Sequence, residues 1–252
     1  MKSRFLHTLA LTALITSVAT FSSGTLGVVG NAYAAATIAP SVTALAHAHG
    51  LDASVGGLLN LNVESTPQSN CVAPSPANPF PPICAAASNL VTANLEGLLT
   101  TGVLNTSALA IAGPEFGLAA LALAQASVAN PLLSVLGLLN VNANVIRSFA
   151  VVQGSCFSQL LHAGSSSLVN GEVTGLLSLL IPPNALNQVV VNVLLGIKVV
   201  LNEQILEGDG FSSRKITINP IHITIPNLLG LLSADITVAQ SVAGVACPGV
   251  VP

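Results

Sequence analysis

Four cysteines carry the most definite chemistry in this chain: Cys71, Cys84, Cys156 and Cys247. An even count suits disulfides formed in an oxidising compartment, and four thiols allow three pairings. Cys71 and Cys84 bracket residues 72–83, which include five prolines. Their locked φ angles disfavour regular structure, so a bridge there would staple a loop. Cys156 and Cys247 each follow an alternating apolar run and would join two strand ends across the domain. A zinc site would need close C-x-x-C pairs or neighbouring histidines, and the spacing offers neither.

The imidazoles and carboxylates are sparse. His47 and His49 are two apart, so on a strand they share a face and could hold a metal, although no third ligand accompanies them. His222 lies between Ile221 and Ile223 and points away from them, as an exposed or hydrogen-bonded strand residue. His162 falls in a Gly/Ser-rich stretch read as a loop. Glu203 and Asp235 stand in almost uncharged surroundings. A hydrolase with paired carboxylates would set two such acids across a cleft, but Glu203 reads more simply as the end of a strand. Ser165-Ser166-Ser167 lacks the Gly-x-Ser-x-Gly elbow, and the chain has no glycine-rich phosphate loop. No catalytic, cofactor-binding or metal site is expected.

The elements that would position these groups are strands. In residues 141–149 polar and apolar side chains alternate, the mark of a half-buried strand. Leu195, Ile197, Val199 and Leu201 repeat the pattern. From Arg214 to Ile225, Ile216 and Ile218 share one parity and Ile221, Ile223 and Ile225 the other. A phase change at Asn219-Pro220 predicts a β-bulge, a place where proline is tolerated. Residues 235–247 show the same slip. Residues 207–210, Glu-Gly-Asp-Gly, predict a hairpin loop, and Asn170-Gly171 predicts a two-residue turn between strands at 167–169 and 172–174. Many short strands with frequent turns imply an antiparallel β-sandwich or a barrel-like fold with bulged strands.

The 31 residues between Glu115 and Arg147 carry no charge, long enough for a membrane helix. Gln125, Ser127, Asn130-Pro131, Ser134 and Asn140 interrupt them, and Leu121 and Leu123 alternate with alanines. Strands are expected instead, with no transmembrane span in the mature chain. An outer-membrane barrel would show aromatic girdles, and the chain has one Tyr and no Trp.

The first residues read as an export signal. Lys2 and Arg4 precede an apolar run, residues 5–19, and Ala32-Tyr33-Ala34 forms an A-x-A cleavage pattern. Cleavage after Ala34 leaves residues 35–252 as a single domain, with four bases against nine acids. Such a chain has no basic cluster for nucleic acid, and at 52% hydrophobic it is too apolar for a disordered segment.

Several segments resemble the bacterial choice-of-anchor P proteins. Residues 48–59 are similar to their opening strand, and stretches of 102–139 to their central segment. Leu201-Asn202-Glu203-Gln204, residues 216–223 and residues 235–247 are similar to their closing strands. The resemblance implies a secreted, surface-associated all-β domain without assigned enzymatic activity. It departs at the C-terminus, where neither a sorting motif nor an apolar tail follows Cys247, so release or non-covalent retention is expected. The partners expected are other surface or matrix components, and the chain itself through strand edges, because few lysines guard them. Lys198, the one charge between Glu172 and Glu203, marks the edge expected to pair. A secreted ligand-binding module, for polysaccharide or another envelope component, is the alternative. The neutral stripe Asn140, Asn142, Asn144 would suit it, and the poor aromatic content counts against it.

Overall fold

A computed structural model describes residues 42–57, 61–73, 83–95, 99–112, 119–135, 139–175, 179–180, 187–192, 197–228 and 232–248. The expected signal segment and its cleavage site lie outside them. All regular elements among the described residues are β-strands, and no helix there is long and apolar enough to cross a membrane.

One six-stranded antiparallel sheet has the order β14 (Gln188–Asn192), β15 (Ile197–Glu207), β16 (Ser213–Leu228), β17 (Leu232–Ala246), β1 (Thr43–Gly57), β2 (Leu61–Ala73). A five-stranded sheet packs against it, in the order β11 (Leu161–Val169), β10 (Val145–Ser155), β7 (Ala119–Ala129), β6 (Leu104–Ala112), β3 (Ile83–Leu90). A third set runs β13 (Leu179–Leu180), β12 (Glu172–Gly175), β9 (Leu139–Asn142), β8 (Leu132–Val135), β5 (Leu99–Thr101), β4 (Ala93–Leu95). The fold is therefore an antiparallel sandwich, and none of the three sets closes into a barrel.

The third set continues the second. The offset that pairs Leu104 with Val128 also pairs Thr100 with Leu132, and the offset of Val145 with Val169 also pairs Asn142 with Glu172. Hydrogen bonds cross the break: Asn130 N to Asn144 O at 2.7 Å, Asn144 N to Val169 O at 2.9 Å, and Gly102 N to Ala129 O at 2.8 Å. One sheet is creased along a row. Asn130 and Asn170 take φ of 45° and 52° there, the left-handed region that Asn tolerates best after Gly. The β7/β8 and β9/β10 lines change their inward parity at the crease. Ala122, Ala124, Ala126 and Val128 are buried before it and Leu133 after it; Val141 and Ala143 are buried on one side and Ile146, Ser148 and Ala150 on the other.

Two expectations are corrected by this crease. The strand read through residues 141–149 breaks at Asn144. Asn170-Gly171 is not a hairpin turn, because β11 pairs with β10 while β12 pairs with β9. It bends one running line.

The six-stranded sheet is creased in the same way. Inward parity switches from Ala48 to Leu51, from Val238 to Ala239 and from Ile218 to Ile221. Asn187, Asn202 and Ala239 adopt φ of 50°, 51° and 58° on that row. A lone extra residue in one strand would shift its register. Here neighbouring strands reset together, so β16 keeps one offset against β15 from Lys198–Thr224 to Glu207–Lys215. The phase change at Asn219-Pro220 is real, but no register shift accompanies it. In the β16–β17 pairing the shift falls between Ile225 and Leu228.

Small side chains line much of the interior. Ala44, Ala46 and Ala48 of β1 and Ala243 of β17 are buried, as are Ala108, Ala110 and Ala112 of β6 and Ala120, Ala122, Ala124 and Ala126 of β7. It is therefore alanine that faces inward in these lines, and Leu109, Leu121 and Leu123 occupy the outward parity. Short polar side chains reach across the gap: Ser148 Oγ to Ser241 Oγ at 2.5 Å, Ser69 Oγ to Thr106 Oγ1 at 2.8 Å, and Ser166 Oγ donating to Asn202 Oδ1 at 2.7 Å. Gly164 shows why the layers can close. A Cβ there would collide with Ile218 Cδ1 and lie 2.8 Å from Ile216 Cδ1.

Candidate functional site

Cys71 is bonded to Cys84 and Cys156 to Cys247, leaving no free cysteine among the described residues. Their Cα atoms are 5.4 and 5.6 Å apart, an ordinary span. Both Cys71 and Cys84 lie in strands, β2 and β3, rather than in the proline-rich stretch between them. Cys156 follows the last residue of β10, and Cys247 the last of β17. Each bridge thus ties one layer to the other. Such bridges belong to an oxidising, extracytoplasmic setting.

The ionisable groups gather on the outward face of the six-stranded sheet. The antiparallel register of β15, β16 and β17 brings together residues far apart in sequence. Glu203 pairs with Asn219 across strands, and His222 with Thr237. Gln240 Nε2 donates to Asn219 Oδ1 at 2.8 Å, and Asn219 Nδ2 donates to Glu203 Oε2 at 2.7 Å. His222 Nδ1 lies 2.8 Å from the same Glu203 oxygen, and its Nε2 lies 3.3 Å from Asp235. A neutral imidazole has one N–H and satisfies one carboxylate; the doubly protonated ring satisfies both. Each ring nitrogen thus faces a carboxylate, Glu203 the more buried of the two and Asp235 mostly exposed. No group of three or more His, Cys, Asp or Glu able to hold a metal occurs among the described residues.

Glu203 is therefore not the end of a strand. It sits within β15 and is partly buried, held by Asn219 and His222. Asp235 is mostly exposed and joins the same network. Asn219 and Gln240 are the members that sequence reasoning missed. Their polar type gave a weak signal, and only the strand register reveals their contact.

His47 and His49 share one face of β1, with ring centroids 6.1 Å apart. Burial pushes both below the usual imidazole range; next in order, Lys215 adds to this at His47 and His47 adds to it at His49, against the opposing pull of Asp52. His49 Nδ1 is buried without a hydrogen-bond partner. His162 belongs to β11, not to a loop, and Ser165, Ser166 and Ser167 lie on the same strand. Asn142 and Asn144 are exposed and Asn140 is half-buried. Lys198 is in β15, which β14 covers. The uncharged β14, not Lys198, forms that edge of the sheet.

The 207–210 loop joins β15 to β16 as a hairpin. Asp209 organises it. Its carboxylate accepts the Ser212 hydroxyl at 2.6 Å and the backbone N–H groups of Phe211, Ser212 and Ser213 at 2.8, 2.7 and 3.1 Å. These bonds, the Ser212 hydroxyl first, hold it far below the usual carboxylate range.

No protein-family model and no curated protein matches the chain. Solved structures with some similarity include Ail, the attachment invasion locus protein of Yersinia pestis, with 7% identity, a TM-score of 0.18, and coverage of 83% of this chain and 99% of that chain. Ail in complex with the heparin analogue sucrose octasulfate gives the same identity and coverage at a TM-score of 0.19. Scores this low do not establish a shared fold.

Proposed function

We propose that this chain is an exported cell-surface or extracellular protein with a structural or adhesive role and no catalytic activity, its mature form beginning near Ala35. The observation that supports this most directly is how its ionisable groups are engaged. Glu203, His222, Asn219, Asp235 and Gln240 bond to one another across a sheet face. The two inter-layer disulfides support an extracytoplasmic setting. The family resemblance in the closing strands points the same way.

A second reading, a polysaccharide-binding module, draws on the outward face of the five-stranded sheet. Register places Asn89, Asn105, Ser127, Arg147 and Ser167 in one row across five strands. Such a row offers amide and hydroxyl groups to sugar hydroxyls. Fractionation of the producing cell separates the two readings. Retention in the envelope or matrix is expected of a structural protein. A freely soluble protein that binds defined glycans would replace that reading with the binder.

A further inference from the structure

Apolar side chains collect at one end of the sandwich, where β10, β15, β17 and β2 finish and β11, β16 and β3 begin. Among the described residues, twelve large apolar side chains are exposed, and seven of them lie at this end. They are Phe157, Phe211 and Leu161, with Ile83, Val72 and the Ile205–Leu206 pair. Phe157 is 86% exposed and Phe211 63%. Aromatic side chains are scarce in this chain, which has seven Phe and one Tyr, so exposing two on neighbouring loops is against the expected distribution.

The two loops are fixed to each other. Phe157 follows Cys156, which is bonded to Cys247. Leu160 N donates to Gly210 O at 2.8 Å, Cys247 N donates to Ser212 O at 2.8 Å, and Asp209 holds Phe211 N. The rings are presented on a rigid support, so docking them orders little chain.

Polarity is graded along the outward face of the five-stranded sheet. The row nearest this end that crosses all five strands is Ile83, Ile111, Leu121, Gln153 and Leu161; in the next row Leu109 is half-buried and Leu123 and Val151 are buried. Two rows further on, at Asn105, Ser127 and Arg147, the face is polar. Rows on one face are about 7 Å apart, so this one apolar row with the loop tips beyond it matches the roughly 5–10 Å reached by proteins lying in a membrane interface. The nearby charges balance, with Glu207 and Asp209 against Arg214 and Lys215, so no anionic lipid is required. The Lys215–Glu207 ion pair lies at this level on the opposite sheet, which tilts the contact toward the five-stranded side.

We infer that this end docks into the interfacial zone of a neutral lipid surface, with Phe157 and Phe211 as its anchors. A protein groove would read one side of the end. A lipid slab reads depth, and depth is what the exposed row and the tips share.

The probe is phosphatidylcholine vesicles added to the oxidised, exported protein. Flotation with the vesicles is expected, little changed by salt. The double variant Phe157→Ser, Phe211→Ser should weaken it by about tenfold, a modest share of what burying two rings contributes. Thr92→Asp, exposed just beyond the far end of β3, should leave it unchanged. Both variants must keep the wild-type circular dichroism and both disulfides. Because the chain has no Trp, Phe157→Trp gives a clean reporter, and its indole emission should shift to the blue on vesicle addition. Absence of flotation, an unshifted emission from the Phe157→Trp variant, or full binding by the folded double variant would overturn the inference. So would dimers formed through this end that exclude vesicles. Envelope retention of the double variant would leave the structural role standing without the lipid contact.

Discussion

His49 sets its Nδ1 into the outward sheet face without a hydrogen-bond partner, beside His47 and within reach of its charge. Both rings are held below their ordinary value of 6.5. A base depressed in the folded state binds fewer protons there than in the unfolded chain. Its contribution to stability is complete above the unfolded value and falls as the pH drops through it. Denaturant melts should therefore show stability declining from pH 7 to pH 5, and His47→Asn with His49→Gln should flatten that decline. A wild-type stability that rises over this interval would contradict the assignment. Asp209 has the opposite chemistry in a lower window. Its depressed carboxyl stabilises above the ordinary carboxylate range and loses that contribution as the pH falls below it.

Creasing is the property of the elements that most needs testing. Asn130 is exposed and takes a φ of 45°, so a substitution there changes backbone cost with little change in packing. Asn130→Gly should be tolerated, whereas Asn130→Val should lose about 1–2 kcal/mol in chemical denaturation. Equal stabilities would mean that the crease does not require the left-handed region. The sheet edge belongs to this scale as well. β14 reads Gln-Val-Val-Val-Asn, uncharged and β-branched, the composition that leaves an edge open to another chain. Sedimentation velocity over a concentration series should show self-association that Val189→Lys removes; a monomer throughout would reject edge pairing.

Much of this architecture was legible in the sequence. Alternation marked the strands, and the parity change at Asn219-Pro220 marked one crease. What alternation does not encode is which strands are neighbours. Asn170-Gly171 has the local chemistry of a hairpin turn, and an Asn in the left-handed region serves a crease equally well. Only the pairing of β11 with β10 and of β12 with β9 tells them apart. Glu203, His222 and Asp235 were each noticed separately, but their meeting depends on the register of three strands. The inward alanines of β6 and β7 reverse the usual expectation that the larger apolar residue faces the core. The closeness of the layers, visible in the Ser148–Ser241 bond, explains them.

For the whole molecule, the two bridges differ in span. Cys156 and Cys247 are separated by 91 residues, Cys71 and Cys84 by 13. Loop-closure entropy predicts about 4–5 kcal/mol for the long bridge and about 3 kcal/mol for the short one. Replacing each pair by alanines should therefore lower the denaturation midpoint more for Cys156–Cys247. A larger loss from the short bridge would place its effect in native packing rather than in the unfolded chain.

Export is the central claim, and its most direct test is intact mass and N-terminal peptide analysis of the protein recovered outside the cytoplasm of the producing cell. A mature chain beginning near Ala35, retained in the envelope or matrix fraction with both disulfides formed, is the predicted result. A full-length chain starting at Met1, with its cysteines reduced and found in the cytoplasm, would contradict it.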